Sequence, residues 1–490
     1  MKISKYKSVI LSGLILLGLG SCTDEFEELN RDKKNPEEVN SEFLVPNVEH
    51  NMAYRIANSL SVNDNISSIL CQHVSKVEYI EPTQWRVREG LRINHFTNAY
   101  TQLQELNQVI NDVNEINDLE SEKLSKNEKL LLLRTLSSYS WQMLTDGFGP
   151  SPYFEALDVL NIQPKYDTQQ EIYLEELDKL TTALKNARKV GDAFGKQDII
   201  YNGDAAKWRK FAASQLLRMA MRIADVDKAN SVKYANIAIE EGLFESNADN
   251  ALFQFLPESG KWNPVYAGFR EAFSECASNT MIDILKSNSD PRMETFWSPN
   301  KDGEYLGNGF GVKDLTEGKF SLFNTETMYD SGKSEEGKLD LPFIFMSYSE
   351  VEFFLAEAVV RGGYNVTGTA KSHFSAGVEA SLNYWNVEAA KTVAYVTAAE
   401  SRFDSASKKM DVVATEKWVA LISQGVEAWA EVRRLDAPQM NAPVGMPISS
   451  FPTRLEFSPN EYSFNKANVK AAAAAIGGDK QTTKLWWDVK

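Results

Sequence analysis

The chain has little of what metal-built and disulfide-built proteins need. Its 490 residues hold three cysteines and four histidines, so no disulfide framework exists, and no CxxC or Cys/His cluster falls at zinc spacing. A basic excess is missing as well. Lys and Arg number 52 against 68 Asp and Glu, and the resulting net charge of −16 opposes a nucleic-acid backbone, with no local basic patch to override it. Nor does the apolar stretch from Val9 to Leu19 reach membrane-spanning length. At ~1.5 Å per residue, eleven residues cover about half of a ~30 Å hydrocarbon core, which reads as the h-region of a signal peptide. What is present is the composition of a folded protein: 43% hydrophobic, 11% aromatic and 24% charged. That excludes a wholly disordered or collagen-like chain and leaves ample material for a large core.

Lys2, Lys5 and Lys7 precede the apolar stretch, and Leu19-Gly20-Ser21-Cys22 closes it. Small residues directly before a cysteine resemble a bacterial lipobox, which implies that residues 1–21 are a cleaved lipoprotein signal peptide and that Cys22 is lipidated at the mature N-terminus. An ordinary signal peptide cut near Ser21 is the alternative. Cleavage removes three lysines and no acid, taking the net charge from −16 to −19. Residues 22–40 follow as a tether in which Asp24, Glu25, Glu27 and Glu28 crowd together and no apolar period appears, the mark of a solvated leash. It resembles the acidic export signal of surface-exposed lipoproteins, implying a lipid-anchored position at the outer membrane, facing the exterior.

Residues 41–490 read as a single, mainly α domain. Ile93, Phe96, Tyr100, Leu103, Leu106, Ile110 and Val113 recur every three or four residues, the spacing of one buried helix face. Further helices are predicted from about Asn127 to Leu144, after an N-cap at Asp167-Thr168, after Asp204, and through Tyr234 to Gly242. The last two make a pair of about 34 residues, the length of a tetratricopeptide unit, and similar pairs run from Ser125 to Ala187, from Tyr348 to Tyr384 and around Trp418 to Leu435. Between about 251 and 341 the texture changes to Gly, Pro, Asn, Ser and aromatics, predicting small hairpins or long loops carried by the helical frame, a minor-β ligand-binding face. From Ala437 onward the chain reads as irregular and wrapping the core.

Standard catalytic constellations fail one by one. Gly332-Lys333-Ser334 lacks the phosphate loop's first glycine, because Thr327 stands there. Gly307, Gly309 and Gly311 imitate a dinucleotide fingerprint, but residue 312 is Val and no strand-to-helix context surrounds it. None of His50, His73, His95 and His373 lies in HExxH, and the mature chain holds no GxSxG. A pair of carboxylates could still hydrolyse a glycoside, but an Asp or Glu in such a chain is far more often a solvated helix face. The reading is therefore non-catalytic, with no cofactor and no metal.

Several segments, in order, resemble the SusD/RagB-like outer-membrane nutrient-binding lipoproteins. These are the lipobox and acidic leash, Asp146-Gly147-Phe148-Gly149-Pro150, Ser289-Asp290-Pro291-Arg292, Tyr348-Ser349-Glu350-Val351-Glu352 and Glu427-Ala428-Trp429-Ala430-Glu431-Val432-Arg433-Arg434. The resemblance implies a fold of tetratricopeptide-like pairs and a SusC-type TonB-dependent transporter as partner, over which the lipoprotein acts as lid. It implies capture of an oligosaccharide or other glycan, with a peptide as the alternative and no bond-breaking; a surface glycosidase stands outside the resemblance as a less favoured reading. A neutral sugar needs flat rings beside amides, carboxylates or Arg forks. Trp85, Trp262, Tyr266, Phe269 and Trp297 are candidate platforms, and Arg86, Asn263 and Asn300 candidate hydroxyl partners. Each competes with a packing role: a true platform loses affinity but not melting temperature when truncated, and a core residue loses melting temperature.

Overall fold

The computed structural model describes residues 41–58, 66–115, 120–189, 191–256, 258, 261–265, 274–328 and 341–490. The signal peptide, Cys22, the tether, Tyr266 and Phe269 lie outside the described residues. Among the described residues, the 3-10 turn Ser41–Phe43 stands in one compact unit, and Val45 to Lys490 belong to another, described from here on.

Among the described residues, eleven helices of ten residues or more carry the fold before the C-terminal wrap: α1 (Val45–Asn58), α2 (Glu89–Glu115), α3 (Glu120–Phe148), α4 (Gln169–Asn186), α5 (Ala205–Arg222), α6 (Lys228–Glu241), α7 (Tyr348–Arg361), α8 (Ala370–Tyr384), α9 (Ala389–Ser405), α10 (Lys409–Ala420) and α11 (Gly425–Leu435). Local chemistry sets their starts. The Thr168 hydroxyl accepts the Glu171 N–H while the Glu171 carboxylate accepts the Thr168 N–H, a capping box that opens α4. Asp204 accepts the N–H groups of Ala206 and Lys207 and opens α5. On α2 the predicted stripe is the buried one, with Phe96, Leu103, Leu106, Ile110 and Val113 all inside. The four expected pairs α3/α4, α5/α6, α7/α8 and α10/α11 each pack together. Between α7 and α8 the approach is close enough to require Gly377, where a Cβ would sit 3.1 Å from the Phe353 ring.

Short strands fill the connections: β1 (Val74–Lys76), β2 (Ser151–Pro152), β3 (Tyr166–Asp167), β4 (Ala251–Phe253), β5 (Glu275–Ala277) and β6 (Phe343–Met346). The middle region takes the expected form of long loops, with residues 297–323 doubling back on themselves through the antiparallel Trp297–Phe323 bridge. The six named strands pair antiparallel, β1 with β5 and β4 with β6 across long stretches of chain, and among the described residues only β2–β3 is local. Their faces are buried on both sides, so no alternation marks them and no turn residue announces the partner. Among the described residues the middle region holds three short helices, Asn279–Ser287, Arg292–Phe296 and Thr325–Met328. Likewise the C-terminal wrap, expected to be irregular, includes Pro459–Phe464 and Lys466–Ala475.

Charge, not only hydrocarbon, joins the pairs to one another. Arg218 of α5 binds Glu350 of α7 at 2.7 Å. One turn on, Arg222 lies between Asp146 of α3 at 3.2 Å and Glu427 of α11 at 2.6 Å, and also holds Glu431. Arg434 grips Glu357 of α7 and Glu431, and Lys417 of α10 reaches Glu431 at 2.8 Å. All of these side chains are buried, and a buried ion is tolerated only when its partners replace the lost water. The C-terminal wrap closes the cluster: Trp487 donates its indole N–H to Asp146 at 2.8 Å, and Arg433 donates to the Asp146 and Thr453 carbonyls.

Candidate functional site

Between β1 and α2 the chain leaves regular structure in two left-handed steps, Tyr79 at φ +51° and Trp85 at φ +56°. Side chains with a Cβ are strained there by about 1–2 kcal/mol. The two bends have opposite results: Trp85 is 1% exposed and Tyr79 is 68% exposed. Tyr79 stands at a cleft of about 1080 Å³ whose near wall is the 76–82 segment with Arg88, whose floor is Ser274 and Cys276, and whose far wall is residues 314–320 with Leu322.

The walls are fixed by the backbone. Val77 donates to the Ser274 carbonyl at 2.9 Å, continuing the β1–β5 ladder, and Asp314 donates its N–H back to the Val77 carbonyl at 3.2 Å. The far wall is closed on itself: the Asp314 carboxylate accepts Lys319 Nζ at 2.5 Å and the Thr316 N–H at 3.0 Å. Those bonds, Lys319 foremost, hold the Asp314 carboxyl down at about 2. Apolar surface faces the space from both sides, Tyr79 on one and Leu315 (58% exposed) and half-buried Phe320 on the other, the last with Lys319 Nζ 5.2 Å from its ring centroid. On the floor, burial pushes the Cys276 thiol up, away from reactive thiolate character.

The structure moves several of the expected binders into the frame. Trp85 meets Phe451 edge-on at 5.5 Å, and Trp297, 0% exposed, stacks on Phe323 at 4.4 Å; both are core residues, because their rings have no face left for a ligand. Asn263 is buried and spends its amide on the Leu341 carbonyl and the Val265 N–H. Asn300 donates to the Lys319 carbonyl and accepts the Asp302 and Glu304 N–H groups, so it shapes the far wall from behind. Trp262 is half-buried and Arg86 is exposed, neither of them lining the cleft. Trp262 also places its indole N–H in the interior. Asn263 lines a separate apolar cavity of about 50 Å³, too small for a sugar ring. What sequence reading missed is Tyr79 itself, in Val77-Glu78-Tyr79-Ile80-Glu81-Pro82, where an aromatic between acids just ahead of a proline turn was the available signal. Among the described residues no three His, Cys, Asp or Glu converge as a metal site, and no helix is long and apolar enough to cross a membrane.

A frame of stacked helical pairs that presents an open cleft on its irregular face defines a scaffold for binding. Residues 33–458 match the model of the SusD-like family, described as starch-binding and associating with the outer membrane, and the chain belongs to this family. Among solved structures it is similar to a chitin-binding protein, at 27% identity and a TM-score of 0.79 over 92% of this chain and 100% of that one. It is also similar to a SusD homolog from Bacteroides uniformis (22%, TM-score 0.75, 91% and 99% covered) and to a chitin-binding SusD homolog from Flavobacterium johnsoniae (22%, 0.75, 91% and 99%). No curated protein matches it by sequence. The mainly α architecture expected from the helical pairs is thus the fold of a known outer-membrane-associated family.

Proposed function

We propose that the protein is a non-catalytic surface lipoprotein, anchored through Cys22, that captures an oligosaccharide in the Tyr79 cleft. In this reading it serves as capture subunit and lid of a SusC-type TonB-dependent transporter. One observation carries the reading: a tyrosine held in the open by a strained backbone, opposite Leu315 and Phe320, across a space of about 1080 Å³. A saccharide's C–H face needs such rings, and its hydroxyls find the carboxylates and cations of both walls. The family and its chitin-binding structural relatives support the same reading. Arg86, exposed two residues before the cleft-lining Arg88, is proposed as a further hydroxyl partner.

If one ring removes roughly 50 Å² of sugar from water, it contributes about 1.3 kcal/mol, close to tenfold in affinity. Tyr79→Ala is therefore expected to weaken binding of chito- or malto-oligosaccharides about tenfold by titration calorimetry, with an unchanged melting temperature. No binding by any saccharide of a broad panel, or an affinity indifferent to Tyr79, would overturn the proposal, as would release of new reducing ends during incubation. For the anchor, Cys22→Ser in cells is expected to move the protein out of the membrane fraction; retention there would exclude the lipid tether.

A further inference from the structure

Charge is distributed unevenly around the cleft in a way that bears on which saccharide it takes, an inference that rests on the carbohydrate reading above. Three cations line it, and each is engaged: Lys76 Nζ lies 3.3 Å from Glu275, Lys319 Nζ is 2.5 Å from Asp314, and Arg88 has its own partner. Of the lining carboxylates, only Asp314 is tied to one of these cations. Glu78, Glu81 and Glu317 also line the cleft, the last two exposed, and none of the three has a side-chain partner among the described residues. The near wall thus offers two unpaired carboxylates on either side of the Tyr79 ring in sequence, and the far wall offers one.

We infer that the cleft selects uncharged and amine-bearing saccharides and rejects those carrying carboxylates or sulfates, with Glu78, Glu81 and Glu317 as the specificity-determining residues. An anionic sugar entering this space meets three like charges and no unengaged cation, and like charge brought together at a binding face disfavours the partner. A protonated amine on the same sugar backbone finds acceptors on both walls, and an N-acetylated or plain hydroxylated sugar is held by rings and hydrogen bonds alone. The acidic balance of the whole chain, −16, points the same way by repelling polyanions before contact.

The test uses the full mature chain and four probes of similar length: glucosamine oligomers, their N-acetylated counterparts, cello-oligosaccharides and oligogalacturonates, titrated in mildly acidic buffer at low salt and at ~0.5 M salt. The amine-bearing oligomer is expected to bind roughly five- to tenfold tighter than its N-acetylated counterpart at low salt, a gain that salt removes. The uronate is expected to be the weakest of the four. In the Glu78→Gln, Glu81→Gln, Glu317→Gln variant that ordering should collapse, the amine-bearing probe losing more affinity than its N-acetylated counterpart. The single Glu317→Gln variant, at an exposed position, gives a partial collapse with no folding risk. Uronate binding as tight as neutral binding, or an ordering unchanged in the triple variant, overturns the inference and leaves the carbohydrate reading standing. Failure of all four probes overturns both.

Discussion

Replacing Glu431 by Ala is expected to remove about 3–5 kcal/mol of stability, because it strands buried cations instead of deleting a neutral contact. Glu431 is 3% exposed and receives Arg222 from α5, Lys417 from α10 and Arg434 from its own helix. Burial alone would push its carboxyl up, but Arg434, Lys417 and Arg222 outweigh that and hold it well below the ordinary value of 4.5. Glu427 and Glu357 are held down in the same way, by Arg222 with Arg218 and by Arg434 with Arg361. The folded state therefore binds fewer protons at these sites than the unfolded chain. Their stabilisation is fully present above the ordinary glutamate value and is lost as pH falls through the depressed one. Glu350 and Asp146 work in the opposite sense: burial raises them, so their contribution declines as pH rises through the raised value and offsets part of the loss on first acidification. Urea midpoints measured from neutral pH downward should fall in the wild type below about pH 4.5. They should start low and fall less steeply in Glu431→Ala. As a control, Glu294→Ala removes the exposed Lys391 pair and should leave the midpoint where it was. Equal midpoints for the two variants would mean that the buried cluster contributes no more than a surface pair.

That cluster shows where the sequence was readable and where it was not. Helix starts were legible because their causes are local: Thr168 with Glu171 and Asp204 with its two amides need only four consecutive residues. The pairing of helices followed from period and loop length. The charges were harder, since a glutamate on a helix is ordinarily a solvated one. Glu350 and Glu357 share a face of α7 at a spacing of seven, and Glu427 and Glu431 share one of α11 at a spacing of four, but apart from Arg361 of α7 and Arg434 of α11 their cations come from α5 and α10, and nothing in either helix names those partners. The cleft was harder still. Its floor is a ladder between residues 74–76 and 275–277, and the exposure of Tyr79 follows from a left-handed backbone step that composition does not encode. Trp85 has the same backbone sign six residues later and turns inward, so residue type and loop position could not separate platform from core.

The separation can be made by experiment. Trp85→Ala and Trp297→Ala are each expected to cost about 3–5 kcal/mol, the range for emptying a buried tryptophan site whose surroundings cannot collapse. Trp85 is 1% exposed, ends the Pro82–Gln84 turn in a left-handed cap and packs edge-on to Phe451 from the C-terminal wrap, so its loss leaves a void bounded by segments fixed independently of each other. Trp297 stacks on Phe323 across an isolated antiparallel bridge, and its removal unseats that bridge as well. Glu81 and Pro82 of the same turn as Trp85 line the cleft, which gives Trp85→Ala a second, indirect effect: binding weakens as the wall loosens, and only near the lowered melting transition. The decisive measurement pairs calorimetric melting with affinity far below both transitions. Trp85→Ala should melt much earlier and bind normally when cold; Tyr79→Ala should melt normally and bind poorly at every temperature. The opposite pattern would return Trp85 to the ligand and place Tyr79 among the residues that only hold the loop.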